Sequence, residues 1–137
     1  MFKVKIIAIG RSKEAWLNAA LAEYEKRLQG RMQLEWLLAE NDGELAACCR
    51  KEPLLIALDL KGDLLSSEGF SEKWMRLGAR AAFVIGGPEG LPQEVLKLAH
   101  WRWSLSPLTF TNQMVRLLLV EQLYRALEIA RGSPYHK

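Results

Sequence analysis

The chain has 137 residues, 50% hydrophobic and 26% charged, a composition that excludes disordered and collagen-like chains. One domain spanning residues 1–137 is expected, and it has no room for a separate substrate lobe, so a site that needs two lobes must borrow from a second chain. The net charge is only +3, yet residues 1–100 are balanced at 14 basic and 14 acidic side chains, and the whole excess, 5 against 2, lies in the last 37 residues.

Phe2 to Ile9 reads as a strand ended by Gly10, and Ser12 is an N-cap signal for a helix reaching Leu28 and closed by Gly30. On that helix Trp16, Ala20 and Tyr24 share a face with Leu17, Leu21 and Leu28, which marks it for packing. Met32, Leu34, Trp36 and Leu38 alternate as a second strand, a short helix from Glu44 to Lys51 stops at Pro53, and Leu54 to Leu60 is apolar except for Asp59. A run of that kind suits a parallel strand covered on both faces. Gly62-Asp63 signals a turn, after which Phe70, Trp74 and Leu77 define a helix ending at Gly78. Arg80 to Ile85 is a fourth strand, followed by Gly86-Gly87-Pro88-Glu89-Gly90. Pro92 opens a helix to about Ala99, and Trp101 to Leu105 forms a fifth strand. The loop Ser106 to Asn112 leads to a long helix, Gln113 to Arg131, capped by Gly132 and followed by a short tail to Lys137.

Strands alternating with helices predict an α/β fold with a mostly parallel sheet and flanking helices. Ligands of such sheets bind at the carboxyl ends of strands. Three loops qualify: the one after Leu58-Asp59, the Gly86 to Gly90 turn, and Ser106 to Asn112. No apolar run approaches the ~20 residues of a membrane-spanning helix, and the Lys3-Val4-Lys5-Ile6 alternation is unlike a signal peptide, so a cytoplasmic protein with no membrane partner is expected. Cys48 and Cys49 are adjacent and far from His100 and His136, which leaves no zinc spacing and no expected metal.

A glycine pair directly after a strand lets a ligand approach the backbone closely. The dinucleotide fingerprint and the nucleotide-phosphate loop are both absent, and no serine or cysteine elbow with a triad is visible. Glu89 is either a general acid or base or, as the better reading, a carboxylate complementing a helix start. The last helix has apolar residues on two faces, Val115, Leu118, Leu119 and Leu123 on one and Met114, Leu117, Val120 and Leu127 on another. One face meets the sheet, and a partner subunit is the economical cover for the second. Arg116 and Arg125 interrupt this helix as candidate phosphate contacts, the plainer alternative being solvation or pairing with Glu121 or Glu128. The tail Pro134-Tyr135-His136-Lys137 either floats in solvent or stacks on a base and holds phosphate.

Taken together, Ile85 to Gly90, Trp103-Ser104-Leu105-Ser106, Glu121 to Ala126 and Pro134-Tyr135-His136 closely resemble the RlmH (YbeA) family of SPOUT methyltransferases, and the match runs through most of the chain. The resemblance implies a homodimer with a trefoil-knotted carboxyl-terminal region. The implied reaction moves a methyl group from S-adenosylmethionine to N3 of a pseudouridine in the helix 69 hairpin of 23S rRNA, within the large subunit or the ribosome. It implies cofactor binding by Leu58, Gly86, Gly87, Leu105, Ser106, Pro107, Leu108, Thr109 and Phe110. No metal and no acidic ribose partner are needed for an adenosine held by backbone amides and apolar side chains.

Two departures stand out. Thr111-Asn112 replaces the family's usual Pro-His, and the segment between Trp36 and Leu54 is shorter. Asn112 can hydrogen-bond to a base but cannot titrate. Catalysis is therefore expected to rest on Arg125 for a phosphate or base contact and on Tyr135 and His136 for orienting the base. Either of those two, or bulk water, would take the N3 proton. The alternative is a non-catalytic ribosome-binding assembly factor on the same fold, with Asn112 as the mark of lost catalysis.

Overall fold

Along β1 (Phe2–Ile9) successive side chains point to opposite sides, so Phe2, Val4, Ile6 and Ala8 enter one apolar cluster while Ile7 and Ile9 enter another. This two-sidedness sets the three-layer plan of the computed structural model, which describes residues 1–137. The remaining elements follow as α1 (Ala15–Leu28), β2 (Met32–Ala39), α2 (Asp42–Arg50), β3 (Leu55–Leu64), α3 (Ser67–Leu77), β4 (Arg80–Val84), α4 (Gln93–Leu98), β5 (Trp101–Ser104) and α5 (Asn112–Ala130). The five strands make one sheet in the order β2-β1-β4-β3-β5, parallel throughout. Parallel neighbours need crossovers, and here each crossover carries a helix.

The larger cluster lies between the sheet and α1, α3 and α5. Its centre is aromatic: Phe70 stacks on Trp103 at 4.0 Å and 7°, with Trp74, Phe83 and Trp101 around them. The smaller cluster joins the other face to α2 and α4 through Leu45, Ala46, Cys49 and Val95. Burial pushes the Cys49 thiol up to about 12, so it stays protonated and packs as a small apolar residue.

The structure revises several local expectations. Helix α1 starts at Ala15 with Glu14 at its N-cap; Ser12 does not cap it, because its hydroxyl accepts from Arg116 instead. Trp16 is 53% exposed and lies off the packed face. Helix α2 begins at Asp42, two residues before Glu44, because the Asn41 side chain accepts from the Glu44 amide while the Glu44 carboxylate accepts from the Glu40 amide. Pro92 is the N-cap of α4, which ends at Leu98. Asn112 is the first residue of α5, and the Thr111 hydroxyl caps that helix by accepting from the Met114 amide.

The Gly62-Asp63 turn is absent, since β3 continues to Leu64. Leu58 and Asp63 both pair with Trp103, so the residues between them arch out of the strand. Glycine is needed at position 62 because a Cβ there would fall 2.6 Å from the backbone of Arg102. The sequence signal was the right residue for a different reason, a close approach of two strands.

The sheet order places a topological switch between β4 and β3. From β3 the chain crosses over α3 to β4, and from β4 it returns over α4, on the opposite face, to β5 beyond β3. A crevice at the carboxyl ends of these strands is the expected ligand position.

Candidate functional site

A cavity of about 600 Å³ opens at that position, within the usual range for small-molecule sites. Three segments build it: Leu58-Asp59-Leu60 where the β3 arch begins, Ile85 to Gly90 after β4, and Ser104 to Asn112 between β5 and α5.

In the second segment the Gly90 amide donates to the Gly87 carbonyl at 3.0 Å, closing a β-turn with Pro88 and Glu89 at its centre. Gly90 has φ +83°, and a Cβ on Gly86 would fall 2.5 Å from the Gly90 carbonyl carbon. These two glycines are required by the chain's own packing. Gly87 is different: a Cβ there would meet only the Ile9 Cδ1, at 3.4 Å. Glu89 is exposed at the turn, and α4 starts four residues later with Glu94 in its first turn. The helix-start role expected of Glu89 therefore falls to Glu94.

The third segment is held by short-range bonds. The Ser104 hydroxyl donates to the Ser106 carbonyl at 3.1 Å, and the Ser106 hydroxyl accepts from the Leu108 amide at 2.9 Å. The amides of Gly86, Leu105, Ser106, Thr109 and Phe110 make no hydrogen bond within the chain, while Gly87 bridges to Gly90. A wall of free backbone donors between Leu58, Ile85, Trp103 and Val115 suits a flat, apolar heterocycle with hydrogen-bonding edges. Of the positions that the resemblance implied, Leu58, Gly86, Gly87, Leu105, Ser106, Leu108, Thr109 and Phe110 lie on this wall and Pro107 does not. Asn112 lies on it too, and so does Asp59, in the loop after Leu58 that the sequence singled out.

The tail is docked rather than floating. Tyr135 donates to the Glu121 carboxylate at 2.6 Å, beneath an Arg125 guanidinium 4.8 Å from its ring. Arg125 also pairs with Glu121 at 3.0 Å and meets His136 Nδ1 at 3.0 Å, while His136 Nε2 lies 3.0 Å from Glu68. Arginine can only donate, so Nδ1 is the acceptor and the ring proton sits on Nε2, facing the carboxylate. Burial and the hydrogen bond to Glu121 push the Tyr135 phenol well above its ordinary range, and the same carboxylate raises Arg125. Tyr135 is thus a hydrogen-bond donor, and Nδ1 of His136 is occupied by the Arg125 guanidinium.

Arg125, Tyr135 and His136 therefore form one cluster, but none of them lies on the wall of the cavity. Arg125 is 13 positions after Asn112 on the same helix, about 20 Å along its axis at 1.5 Å per residue.

Arg116, the other proposed phosphate contact, is 1% exposed. It donates to the carbonyls of Ile9 and Gly10 at 2.8 Å each and to the Ser12 hydroxyl at 3.1 Å. It ties α5 to the end of β1 and is withdrawn as an RNA contact. No group of three or more His, Cys, Asp or Glu side chains is arranged to hold a metal, and no helix is long and apolar enough to cross a membrane.

Comparison with known proteins converges on one group. A family profile described as "Predicted SPOUT methyltransferase" matches residues 2–136. The chain is 48% identical over 141 aligned residues to "Ribosomal RNA large subunit methyltransferase H" of Protochlamydia amoebophila, with the whole of both chains covered. It is 43% identical to the protein of the same name from Synechococcus sp. (strain CC9311), covering 98% of this chain and 96% of that one. For the Xylella fastidiosa (strain 9a5c) protein of that name identity is 40%, covering 100% and 99%. In fold it is similar to a probable methylase family protein from Haemophilus influenzae, with a TM-score of 0.63 and 15% identity over 98% of this chain and 70% of the other. It is also similar to the methyltransferase AviRb from Streptomyces viridochromogenes, solved in complex with AdoMet, with a TM-score of 0.54 and 12% identity over 94% and 58%.

Proposed function

Since the chain belongs to the SPOUT methyltransferase family, we propose that it is the S-adenosylmethionine-dependent 23S rRNA methyltransferase that modifies N3 of a pseudouridine in helix 69. The observation that carries this reading is the strand-end cavity with its free amides, in a chain aligned end to end with relatives named for rRNA methylation. Family membership also supports a knotted carboxyl-terminal region, a single methyltransferase domain over 1–137 and action in the cytoplasm.

The residues present fit the cofactor. Gly86, Gly87 and Leu105 to Phe110, apart from Pro107, would hold the adenosine through backbone amides and apolar contact. S-adenosylmethionine supplies an activated methyl group on a sulfonium, and the N3–H proton must leave as the N3–carbon bond forms.

Here the separation of cavity and tail matters, since within one subunit Tyr135 and His136 are held by Glu121, Arg125 and Glu68, off the cavity wall. A homodimer resolves this if each tail serves the partner's cavity. The outward side of α5 supports that arrangement, with Met114, Leu118 and Ile129 only partly covered and Leu108 and Phe110 exposed near its start. In this reading Tyr135 donates to the base and Arg125 turns from His136 to an RNA phosphate. That movement uncovers Nδ1 of His136 to take the N3 proton. Asn112 bonds to the base without titrating.

The test is transfer of labelled methyl groups to large subunits and to ribosomes, with the product nucleoside mapped by mass spectrometry. The reading requires N3-methylpseudouridine in helix 69 and slower transfer where the target uridine has not been isomerised. Tight binding to ribosomes with no transfer would favour the assembly-factor alternative that Asn112 raises.

A further inference from the structure

The cavity wall contains no lysine, arginine or histidine and only one carboxylate, that of Asp59. Asp59 opens the arch between the two β3 residues that pair with Trp103. Its Oδ1 accepts from the Lys61 amide at 3.2 Å, and its Oδ2 has no partner in the chain. Leu58, Ile85, Trp103, Leu105 and Val115 stand on the same wall. Apolar neighbours lower the local dielectric and make a single charge felt more strongly.

The reactant and product of methyl transfer differ by one charge. Both carry the ammonium and carboxylate of the amino-acid portion, which cancel; only the methyl donor also carries the sulfonium. When the sulfur–carbon bond breaks, its electron pair stays on sulfur and the positive charge disappears, leaving S-adenosylhomocysteine neutral overall. A cavity with one negative side chain and no cation to offset it must distinguish these ligands electrostatically.

We propose that Asp59 makes the cavity selective for the sulfonium form, holding the methyl donor and weakening the grip on the spent product once its charge is gone. Asp59 acts here as a specificity-determining residue, and the inference rests on the cofactor reading above.

Calorimetric titration of the intact protein with S-adenosylmethionine and, separately, S-adenosylhomocysteine reads this without any turnover. Asp59→Asn keeps an oxygen for the Lys61 amide and so keeps the arch. It should weaken the methyl donor about ten-fold, a modest effect for loss of one partly solvated charge pair, and change the product less than two-fold. Asp59→Glu should retain the preference for the donor. Equal weakening of both ligands would mean that Asp59 holds the shared ammonium or a ribose hydroxyl, and would overturn the proposal, as would no change in either. Wild-type protein that binds neither ligand would bring down the cofactor reading itself, before any variant is made.

Discussion

Two variants that are inactive for different reasons can be mixed to ask whether the site is shared between subunits. One lacks residues 134–137; the other carries Gly87→Val. The deletion removes the Tyr135 bond to Glu121 at 2.6 Å, the edge contact of Tyr135 with Tyr124 at 4.8 Å and the two His136 contacts at 3.0 Å. These groups are partly exposed, so together they contribute about 2 kcal/mol to a domain with on the order of 10 kcal/mol in hand. The deleted protein should fold, melt several degrees lower, and bind S-adenosylmethionine normally. Methyl transfer should fall by about 100-fold or more, the usual penalty for a misplaced substrate. Gly87 has no positive φ and its Cβ would clash with no backbone, so Gly87→Val should fold and fail only at the cofactor. Random reassociation of equal amounts makes half the dimers mixed, and each mixed dimer holds one intact cavity facing one intact tail. Methyl transfer to large subunits should then recover to about a quarter of the wild-type rate, as two-fold symmetry dictates. A self-contained site has no way to recover, so a mixture no more active than its separate components would refute the shared site.

Leu118→Glu should convert the proposed dimer to a folded monomer by light scattering, because Leu118 lies on the partly covered side of α5. Leu123→Glu should instead unfold the protein at a much lower temperature, because Leu123 is completely buried in the monomer core and an unpaired carboxylate there costs several kcal/mol. Gly86→Val should lower the melting temperature sharply, in contrast to Gly87→Val, since its Cβ meets the Gly90 backbone at 2.5 Å. Burial alone would raise the Glu128 carboxyl, but hydrogen bonds from Arg31, Arg131 and Ser133 outweigh it and hold the group below its ordinary range. A depressed folded-state value contributes stability above the unfolded pKa of about 4.3 and loses it as pH falls further. Glu128→Gln should therefore cost melting temperature at pH 7 and flatten the decline below pH 4.

The alternation of strand and helix was legible because it depends on local period alone, and so was the Gly86 to Gly90 turn, because a glycine pair after an apolar strand has few other uses. Features made by distant partners were hidden. Arg116 is bonded to carbonyls of Ile9 and Gly10, more than a hundred residues away, and nothing beside it in sequence reveals that an arginine in an apolar helix is anchored to a strand end. Asp59 read as an interruption of a strand beside a candidate ligand loop, but the arch itself has no period and depends on β3 pairing twice with Trp103. Gly62 shows the limit most plainly, since glycine marks both turns and close approaches and only the neighbouring strand decides between them. The residues implied by resemblance carried no geometry with them, so the distance between the Tyr135 cluster and the cavity had to come from the fold.

That distance is itself a product of the helix that spans it. Near its start α5 is fastened by the buried Arg116 to the end of β1, and near its finish by the buried Glu128 to Arg31 at 2.7 Å, just before β2. Between these anchors Leu119, Val120, Leu123, Ala126 and Leu127 bind it to the sheet. A helix held at both ends and along one face stays in place, and the tail that folds back onto it is bonded to Glu121 and Glu68, away from the cavity wall. In the proposed homodimer the same rigidity would make α5 a spacer across the two-fold axis, aligning one subunit's cavity with the residues proposed to hold the base on the other. Positioning is most of what such a transfer requires, and in that proposal the buried polar anchors, which would be costly as mere packing, would supply it.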